Sequence, residues 1–308
     1  MLTDLQIAIV GGGLMGHGIA QVLAGRGARV TVHDPDPDVL ASVPDRIAAN
    51  LRVLGEDEAT ARKVALAESL EDAVGAADWV FEAAPERMEL KQELFARLEA
   101  AAPPECVLAT NTSVMRVTEI AARVRSAERV VGTHWWNPPY LVPLVEVVQG
   151  ERTSPDVVER TMALLAEAGK TPVHVKRDVP GFVGNRLQHA LWRQAFELVD
   201  AGVCDAEAID TVVKASFGKR LAVLGPMENA DLVGLDLTLD IHEYVLPTLD
   251  PPSEPAAGLR ARAEAGDLGM KTGAGYRAWS AEEAEEVRRR LLEHLAGVTP
   301  TLERGGER

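Results

Sequence analysis

Four polar side chains at separate points of the chain have the types that acid–base chemistry needs: Ser113, His134, Glu146 and Asn185. Glu146 lies within the apolar run 144–148, where an unpaired carboxylate costs several kcal/mol, so a partner is expected. His134 ends the preceding strand-like run, and a histidine and a carboxylate on adjacent strands can pair. Because such a pair fixes the imidazole tautomer and raises its basicity, we predict that His134 is a general base oriented by Glu146.

The reaction that suits this base is removal of a hydroxyl proton from a carbinol, coupled to loss of a hydride. Ser113 follows a strand end, where open α/β sheets place ligands, and Asn185 lies in the first turn of a helix. Both can hydrogen-bond a substrate oxygen whose charge changes during the reaction. Each residue also has a plainer interpretation, since a lone histidine is often a core or turn residue and Ser and Asn are ordinary capping residues.

A glycine-rich turn at 11–16 predicts a nucleotide site, because it lies between an apolar strand and an apolar helix. Gly11 makes the tight turn, Gly13 lets the backbone approach a phosphate, and Gly16 lets the helix pack on the strand. The free N–H groups and the positive end of that helix then face the anion, with Leu14 and Met15 in the turn.

Asp34 indicates which nucleotide the turn binds. It ends the second strand 18 residues after Gly16, the distance expected for an acid on the ribose hydroxyls of NAD. A carboxylate there repels a 2′-phosphate, and residues 35–37 supply no arginine to hold one. NAD is therefore favoured over NADP. The alternative is a doubly wound domain that keeps the glycines for packing and binds FAD or nothing.

Composition limits the remaining function classes. A chain of 308 residues with a net charge of −15 has room for about two domains and is a poor ligand for nucleic acid or an anionic membrane. The first strand begins within six residues, which leaves no room for a signal peptide, and no apolar run is long enough to span a membrane. Cys106 and Cys204 lack metal-ligand spacing and fit a reducing cytosol. We expect a cytoplasmic protein without a metal.

Strands and helices alternate through residues 1–178, which predicts an NAD-binding domain with a Rossmann-type, doubly wound parallel sheet. After the second strand, 38–68 is interpreted as helical. A turn-rich hinge at 178–181 precedes apolar residues spaced by three and four, which predict a long amphipathic helix. We therefore expect an all-helical substrate and dimerisation domain at 179–297 and a disordered tail at 298–308.

An ordered set of motifs covers nearly the whole chain. It resembles the L-3-hydroxyacyl-CoA dehydrogenase family, including relatives that act on hydroxy acids without CoA. The motifs are Gly-Gly-Gly-Leu-Met-Gly at 11–16, Asn-Thr-Ser at 111–113, His-Trp-Trp-Asn-Pro at 134–138, Leu-Val-Glu-Val-Val at 144–148, Asp-Val-Pro-Gly-Phe-Val-Gly-Asn-Arg at 178–186, Gly-Pro-Met at 225–227 and Lys-Thr-Gly-Ala-Gly-Tyr at 271–276.

The resemblance implies roles for individual residues. The family's catalytic pair corresponds to His134 and Glu146, and its substrate-contacting residues correspond to Ser113 and Asn185. A helical domain that forms a homodimer is also implied. The expected cofactor contacts outside the glycine turn and Asp34 are Glu86, Lys91, Asn111, Asn137 and Lys271.

Departures from the family pattern concern CoA rather than the redox chemistry. Trp135 and Trp136 replace two phenylalanines that commonly follow the histidine, and Pro143 replaces a frequent lysine. The helical stretch 38–68, which in the acyl-CoA enzymes forms an arm against CoA, is short and contains one lysine, Lys63. We expect an NAD-dependent 3-hydroxyacyl-CoA dehydrogenase of the 3-hydroxybutyryl-CoA type, active in fatty acid metabolism. The alternatives are a CoA-independent dehydrogenase of a small hydroxy acid, sugar acid, carnitine or aromatic alcohol, and, more remotely, a non-catalytic NAD-binding protein.

Overall fold

The computed structural model describes residues 2–249 and 255–298, and the chain divides into two compact units. The first unit contains the residues up to Arg186 together with those from Leu292, and the second is Leu187–Leu291. The boundary predicted between residues 178 and 179 remains a prediction. Of the predicted disordered tail at 298–308, Val298 is the last residue of a helix, and residues 299–308 lie outside the described residues.

The first unit is built on one eight-stranded sheet. Its strands are β1 (Gln6–Val10), β2 (Arg29–His33), β3 (Ala65–Leu66), β4 (Trp79–Glu82), β5 (Val107–Thr110), β6 (Val130–Trp135), β7 (Leu144–Val148) and β8 (Thr171–Val175). In space they follow the order β3-β2-β1-β4-β5-β6-β7-β8. All neighbours run parallel except β6 and β7, which are antiparallel. The predicted Rossmann-type fold is therefore confirmed, with one antiparallel step added.

Helices connect the strands and cover the sheet. They are α1 (Gly16–Gly25), α2 (Pro37–Leu54), α3 (Leu70–Val74), α4 (Met88–Ala101), α5 (Val117–Ile120) and α6 (Pro155–Glu167). The prediction of a helix through 38–68 was wrong beyond residue 54. Gly55 ends α2 in the left-handed conformation at φ +67°, and the chain then forms a 3-10 turn at Glu58–Lys63 before β3.

Successive residues of the central strands pack on opposite faces of the sheet. Ala8 and Ile9 are both fully buried but belong to different apolar clusters, and so do Val80 and Phe81. Strands buried on both faces read as continuous apolar runs, as they do in parallel sheets covered by helices. Their carboxyl ends form the edge where open α/β sheets bind ligands.

The second unit is helical over its described residues. Its helices begin with α7 (Gly184–Asp200), which starts within the first unit, and continue with α8 (Ala206–Ala215), α9 (Gly218–Leu221), α10 (Pro226–Val233), α11 (Leu235–Val245), α12 (Ala257–Ala265) and α13 (Ala281–Val298). The residues of α13 from Leu292 onward belong to the first unit. Isolated bridges pair Ala274 with Gly269 and Ala278. Within the described ranges, every helix falls short of the length and apolarity that a membrane span requires.

Candidate active site

The antiparallel pairing of β6 with β7 brings His134 and Glu146 together. The register places the two residues directly opposite each other, so their side chains emerge on the same face of the sheet. His134 Nδ1 lies 2.7 Å from Glu146 Oε2, and both side chains are buried. The pair predicted from a carboxylate in an apolar strand is present in the structure.

Backbone groups hold the second oxygen of Glu146. The N–H groups of Val183 and Gly184 donate to Oε1 at 2.9 and 3.0 Å. Burial alone would raise the pKa of Glu146, but the hydrogen bonds from His134, Gly184 and Val183 outweigh burial and lower the pKa below its usual value. Glu146 is therefore a carboxylate, which can only accept hydrogen bonds.

An acceptor-only partner decides the tautomer of His134. Nδ1 must carry the proton that it donates to Glu146, so in the neutral ring Nε2 has a free lone pair. This is the arrangement that a general base requires, with one nitrogen oriented by a carboxylate and the other available to substrate.

Ser113 and Asn185 meet beside this pair. Asn185 donates from Nδ2 to the backbone carbonyl of Ser113 at 2.8 Å, so its side chain joins the start of α7 to the loop after β5. On the other side of that loop, Glu86 Oε1 accepts from the backbone N–H groups of Ser113 and Val114 at 2.9 and 3.2 Å. The four residues predicted for the chemistry are thus linked through direct contacts and the turn that contains Gly184 and Asn185.

The two tryptophans after His134 have different surroundings. The ring of Trp136 lies 5.1 Å from the ring of His134, and the Phe182 ring lies 5.9 Å from it on another segment. Trp135 is buried in the core, where it contacts Phe81 edge-on and lies under the ammonium group of Lys170. Of the two tryptophans, only Trp136 lies beside His134.

The glycine turn has the shape that a dinucleotide pyrophosphate needs. A Cβ at Gly11 would lie 2.7 Å from the carbonyl oxygen of Ala83, and one at Gly16 would collide with the carbonyl of Gly11. A Cβ at Gly13 would meet nothing within 4 Å, so its backbone faces open space. Met15, at the N-cap of α1, makes no side-chain cap, although the N–H of His17 in the first turn donates to the Gly13 carbonyl at 3.3 Å. The N-terminal end of α1 faces this turn, where its dipole favours an anion. These residues fit the phosphates of NAD.

Asp34 lies at the same edge, immediately after β2. Its Oδ2 accepts from the N–H of Gly12 at 2.8 Å and its Oδ1 from the N–H of Asp36 at 2.9 Å. The carboxylate is thereby fixed beside the glycine turn. Arg46 of α2 donates to the Gly12 carbonyl at 3.2 Å.

Lys91 forms a buried ion pair below this edge of the sheet. Its Nζ donates to Glu82 Oε1 at 2.6 Å and to the Ala84 carbonyl at 3.1 Å, and it lies 3.5 Å from Glu86 Oε2. The side chains of Lys91 and Glu82 are 1% and 0% exposed. The ammonium group therefore already has three acceptors, and the predicted contact of Lys91 with NAD stays a prediction.

The remaining predicted cofactor residues occupy varied places. Asn111 is buried, and its Oδ1 accepts from the backbone N–H of Trp135 at 2.9 Å, which joins β5 to β6. Asn137 is exposed in the connection from β6 to β7. Lys271 is exposed in a turn of the second unit. The structure thus brings Asn111 next to the strand that carries His134, while Lys271 belongs to the other unit.

Comparison with known families accounts for both units. The model described as 3-hydroxyacyl-CoA dehydrogenase, NAD binding domain, matches residues 6–179, and the model for the C-terminal domain of the same enzyme matches residues 181–279. The chain belongs to the 3-hydroxyacyl-CoA dehydrogenase family. It is an NAD-dependent dehydrogenase that acts on CH–OH groups, and the predictions of family, enzyme class and cofactor are confirmed.

Similar proteins in this family are named for different substrates. The 5-formyl-3-hydroxy-2-methylpyridine 4-carboxylate 5-dehydrogenase of Mesorhizobium japonicum is 33% identical over 96% of this chain and 98% of its own. A crystal structure of an enzyme of that name, described as an NAD+-dependent dismutase, superposes with a TM-score of 0.89 at 33% identity over 98% of this chain and 99% of its own. The L-carnitine dehydrogenase of Streptomyces griseus is 41% identical over 74% of this chain and 70% of its own. The structure of (S)-3-hydroxybutyryl-CoA dehydrogenase from Ralstonia eutropha has a TM-score of 0.73 at 32% identity, covering 90% of this chain and all of its own.

Several groups that position the site residues were not identified from the sequence. Glu82 had a detectable signal, because it is a carboxylate at the end of an apolar strand, as Glu146 is within one. The backbone donors of Val183 and Gly184 carried no signal in residue type. Arg46 also carried none, since an arginine within a helix is ordinarily a solvated residue.

Proposed function

We propose that the protein oxidises a secondary alcohol on a small free carboxylic acid, without CoA. The observation that carries the absence of CoA is the match to the pyridine-carboxylate dehydrogenase structure, with a TM-score of 0.89 over 98% of the chain, against 0.73 over 90% for the hydroxybutyryl-CoA enzyme. The name of that relative places its reaction at a formyl group, so the match supports the free carboxylate and not the secondary alcohol. The carnitine dehydrogenase, whose name also lacks CoA, supports the same substrate class. Trp136 adds a large ring beside the base, which suits a compact substrate.

The roles of the catalytic residues follow from their hydrogen bonds. His134 accepts the hydroxyl proton at Nε2, and Glu146 stabilises the resulting imidazolium through Nδ1. Ser113 and Asn185 position the reacting oxygen. Bound NAD+ supplies the acceptor for the hydride that leaves the carbinol carbon. The oxidation then yields a ketone, with the proton on His134.

The cofactor contacts are proposed for two groups of residues. The first group surrounds the glycine turn, where the open space at Gly13 and the fixed carboxylate of Asp34 support them. The second group comes from the family resemblance alone. The proposed contacts are Gly11, Gly13, Leu14, Met15, Gly16 and Asp34 in the first group, and Glu86, Lys91, Asn111, Asn137 and Lys271 in the second.

A panel of ketones tests the substrate class. NADH oxidation is followed with acetoacetate, dehydrocarnitine, a 3-keto sugar acid and acetoacetyl-CoA, each at matched concentration. We expect turnover with at least one free acid and at most slow turnover with the thioester. Fast turnover with acetoacetyl-CoA alone would contradict the proposal.

Two substitutions test the catalytic pair. His134→Gln and Glu146→Gln are expected to lower kcat by about 10²- to 10⁴-fold, because each removes the base or the group that orients it. Fluorescence titration with NADH serves as the control, since the glycine turn is unchanged and binding should remain near that of the wild type. Unchanged turnover in both variants would refute the assignment.

Oxidation of a 3-hydroxyacyl-CoA, as in fatty acid metabolism, is the second candidate. The descriptions of both family models and the complete coverage of the Ralstonia hydroxybutyryl-CoA enzyme support it. The acetoacetyl-CoA arm of the same panel decides between the two candidates.

We also propose a cytoplasmic homodimer that associates through the helical unit. Large apolar side chains on α10 and α11 are more than half exposed in the single chain, including Leu232, Leu235, Leu239 and Tyr244. Such patches mark association surfaces, and two cysteines without a disulfide suit a reducing compartment. Light scattering after size exclusion measures the mass. A monomer at micromolar concentration would contradict the dimer.

A further inference from the structure

Phe182 has an unusual backbone conformation for its residue type. Its φ is +50°, and every other described residue with a positive φ is a glycine. A bulky side chain is strained in this region, so the surroundings must impose the conformation. Phe182 is also 1% exposed, which means that its side chain is fixed as well as its backbone.

The turn around Phe182 is held at several points. Phe182 N–H donates to the Val179 carbonyl at 3.0 Å, and the N–H of Gly181, itself at φ +74°, donates to the Val114 carbonyl at 3.0 Å. After this reversal, the next two N–H groups point at one atom. Val183 and Gly184 both donate to Glu146 Oε1.

Gly184 allows the close approach that this convergence requires. A Cβ there would collide with the indole of Trp136 and would lie 3.4 Å from Glu146 Oε2. The segment therefore combines a left-handed phenylalanine with a glycine that packs directly under an aromatic ring. The product of this geometry is a carboxylate with one oxygen fixed by two backbone donors and the other turned to His134.

We propose that Phe182 is a positioning residue whose left-handed backbone converges the Val183 and Gly184 N–H groups on Glu146. The carboxylate is thereby held in the rotamer that keeps the proton of His134 on Nδ1. Nε2 is then free for the substrate proton. The inference rests on the proposed role of His134 as the base.

Two isomeric side chains separate the backbone effect from the ring. Phe182→Leu and Phe182→Ile both remove the ring, and they introduce side chains of equal volume and similar hydrophobicity. Isoleucine is β-branched and tolerates a positive φ much less than leucine does. If the ring acts on His134, the two variants should change the tautomer of His134 equally. If the backbone acts instead, only the isoleucine variant should change the tautomer.

Nitrogen NMR of the histidine side chains reads the tautomer without substrate. In the wild-type protein and in Phe182→Leu, the neutral ring of His134 should show a protonated Nδ1 and an unprotonated Nε2. In Phe182→Ile a substantial population should have the proton on Nε2. The signals of His134 are assigned by their loss in His134→Gln. Because no substrate is present, this result is independent of the proposed substrate class.

Kinetics add a second readout. Phe182→Ile should lower kcat by about tenfold or more with little change in the KM for NADH, since fewer molecules present the reactive nitrogen. In a Glu146→Gln background the same substitution should cost little more, because its effect passes through Glu146. Additive losses would overturn the proposal.

The outcomes are decisive in each case. Equal tautomer populations in Phe182→Leu and Phe182→Ile overturn the proposal, as does a tautomer change in Phe182→Leu. If Phe182→Ile fails to fold, Phe182→Leu still tests the inference. Retention of the Nδ1 proton there agrees with the proposal and excludes the ring as the cause, whereas a shift of the proton to Nε2 overturns the proposal.

Discussion

Removing the ammonium group of Lys91 should destabilise the first unit strongly. In Lys91→Met, Glu82 keeps two neutral donors, the Ala84 N–H at 2.6 Å and the Thr110 hydroxyl at 2.7 Å, but loses its only cation within hydrogen-bonding distance in the described structure. Glu82 has no exposed surface, so water cannot replace the lost charge. Methionine matches the length of the lysine stem and keeps most of its packing.

The expected loss follows from the burial of both partners. Breaking a buried ion pair by removing one partner costs about 3–5 kcal/mol, because the remaining charge stays uncompensated. An exposed pair between α4, the helix of Lys91, and α3 offers a matched control. Arg97 and Glu71 are 3.5 Å apart with both side chains more than 60% exposed, and Arg97→Met should cost less than about 1 kcal/mol. A double variant, Lys91→Met with Glu82→Gln, should recover part of the loss.

Urea unfolding without cofactor measures these differences. Circular dichroism and tryptophan fluorescence should give coincident transitions for the two-state analysis to hold. The competing interpretation is that Lys91 serves NAD directly. If Lys91→Met unfolds within about 1 kcal/mol of the wild type while its Kd for NADH rises, the structural reasoning is refuted and the cofactor role is supported.

Three further predictions concern single groups. Burial, with a contribution from Arg26, lowers the pKa of Lys170 to about 8 from its usual 10.5. Between pH 8 and pH 10.5 the unfolded chain therefore binds one more proton at Lys170 than the folded chain does. The free energy of unfolding should therefore rise from pH 8 to pH 10.5, by on the order of 3 kcal/mol relative to Lys170→Met, and a flat difference between the two proteins would contradict the buried amine. Burial raises the pKa of Cys106 to about 12, so a disulfide reagent at pH 8 should modify Cys204 in the folded protein much faster, and equal rates would refute this. Asp34→Ala should raise the KM for NAD+ by about 10- to 100-fold, since hydrogen bonds to a charged group contribute about 1.5–3 kcal/mol, and an unchanged KM would exclude Asp34 from the ribose.

The contact between His134 and Glu146 was predictable because a carboxylate in an apolar strand is unfavourable unless it is paired. A carboxylate within the apolar run 144–148 needs a partner, and His134 was the titratable side chain at the end of the adjacent strand. The eight-residue connection between the strands also suits an antiparallel return, which puts the two residues in register. The same logic applied to Glu82 points to a buried partner nine residues later. Family resemblance instead assigned Lys91 to the cofactor.

Other features depend on tertiary structure that residue types do not encode. The two residues of β3 are exposed, and their pairing depends on β2 already being in place. The helix at α2 was predicted to extend too far, because Gly55 was not recognised as its C-cap. The donors to Glu146 are main-chain groups, and their direction depends on the φ of Phe182, which no propensity predicts for a phenylalanine.

The segment 178–186 contacts the residues proposed for the chemistry rather than the nucleotide turn. Its first residue, Asp178, accepts from the Thr118 N–H at 2.7 Å, and Asn185 near its end donates to the Ser113 carbonyl. Between them lie the donors to Glu146, so one short stretch of chain fixes the carboxylate and the loop that carries Ser113. The glycine turn is held separately, by the ends of β1 and β2. Substitutions in the segment 178–186 should therefore lower kcat before they change the affinity for NADH, because the groups that they displace contact Glu146 and Ser113 and not the nucleotide turn.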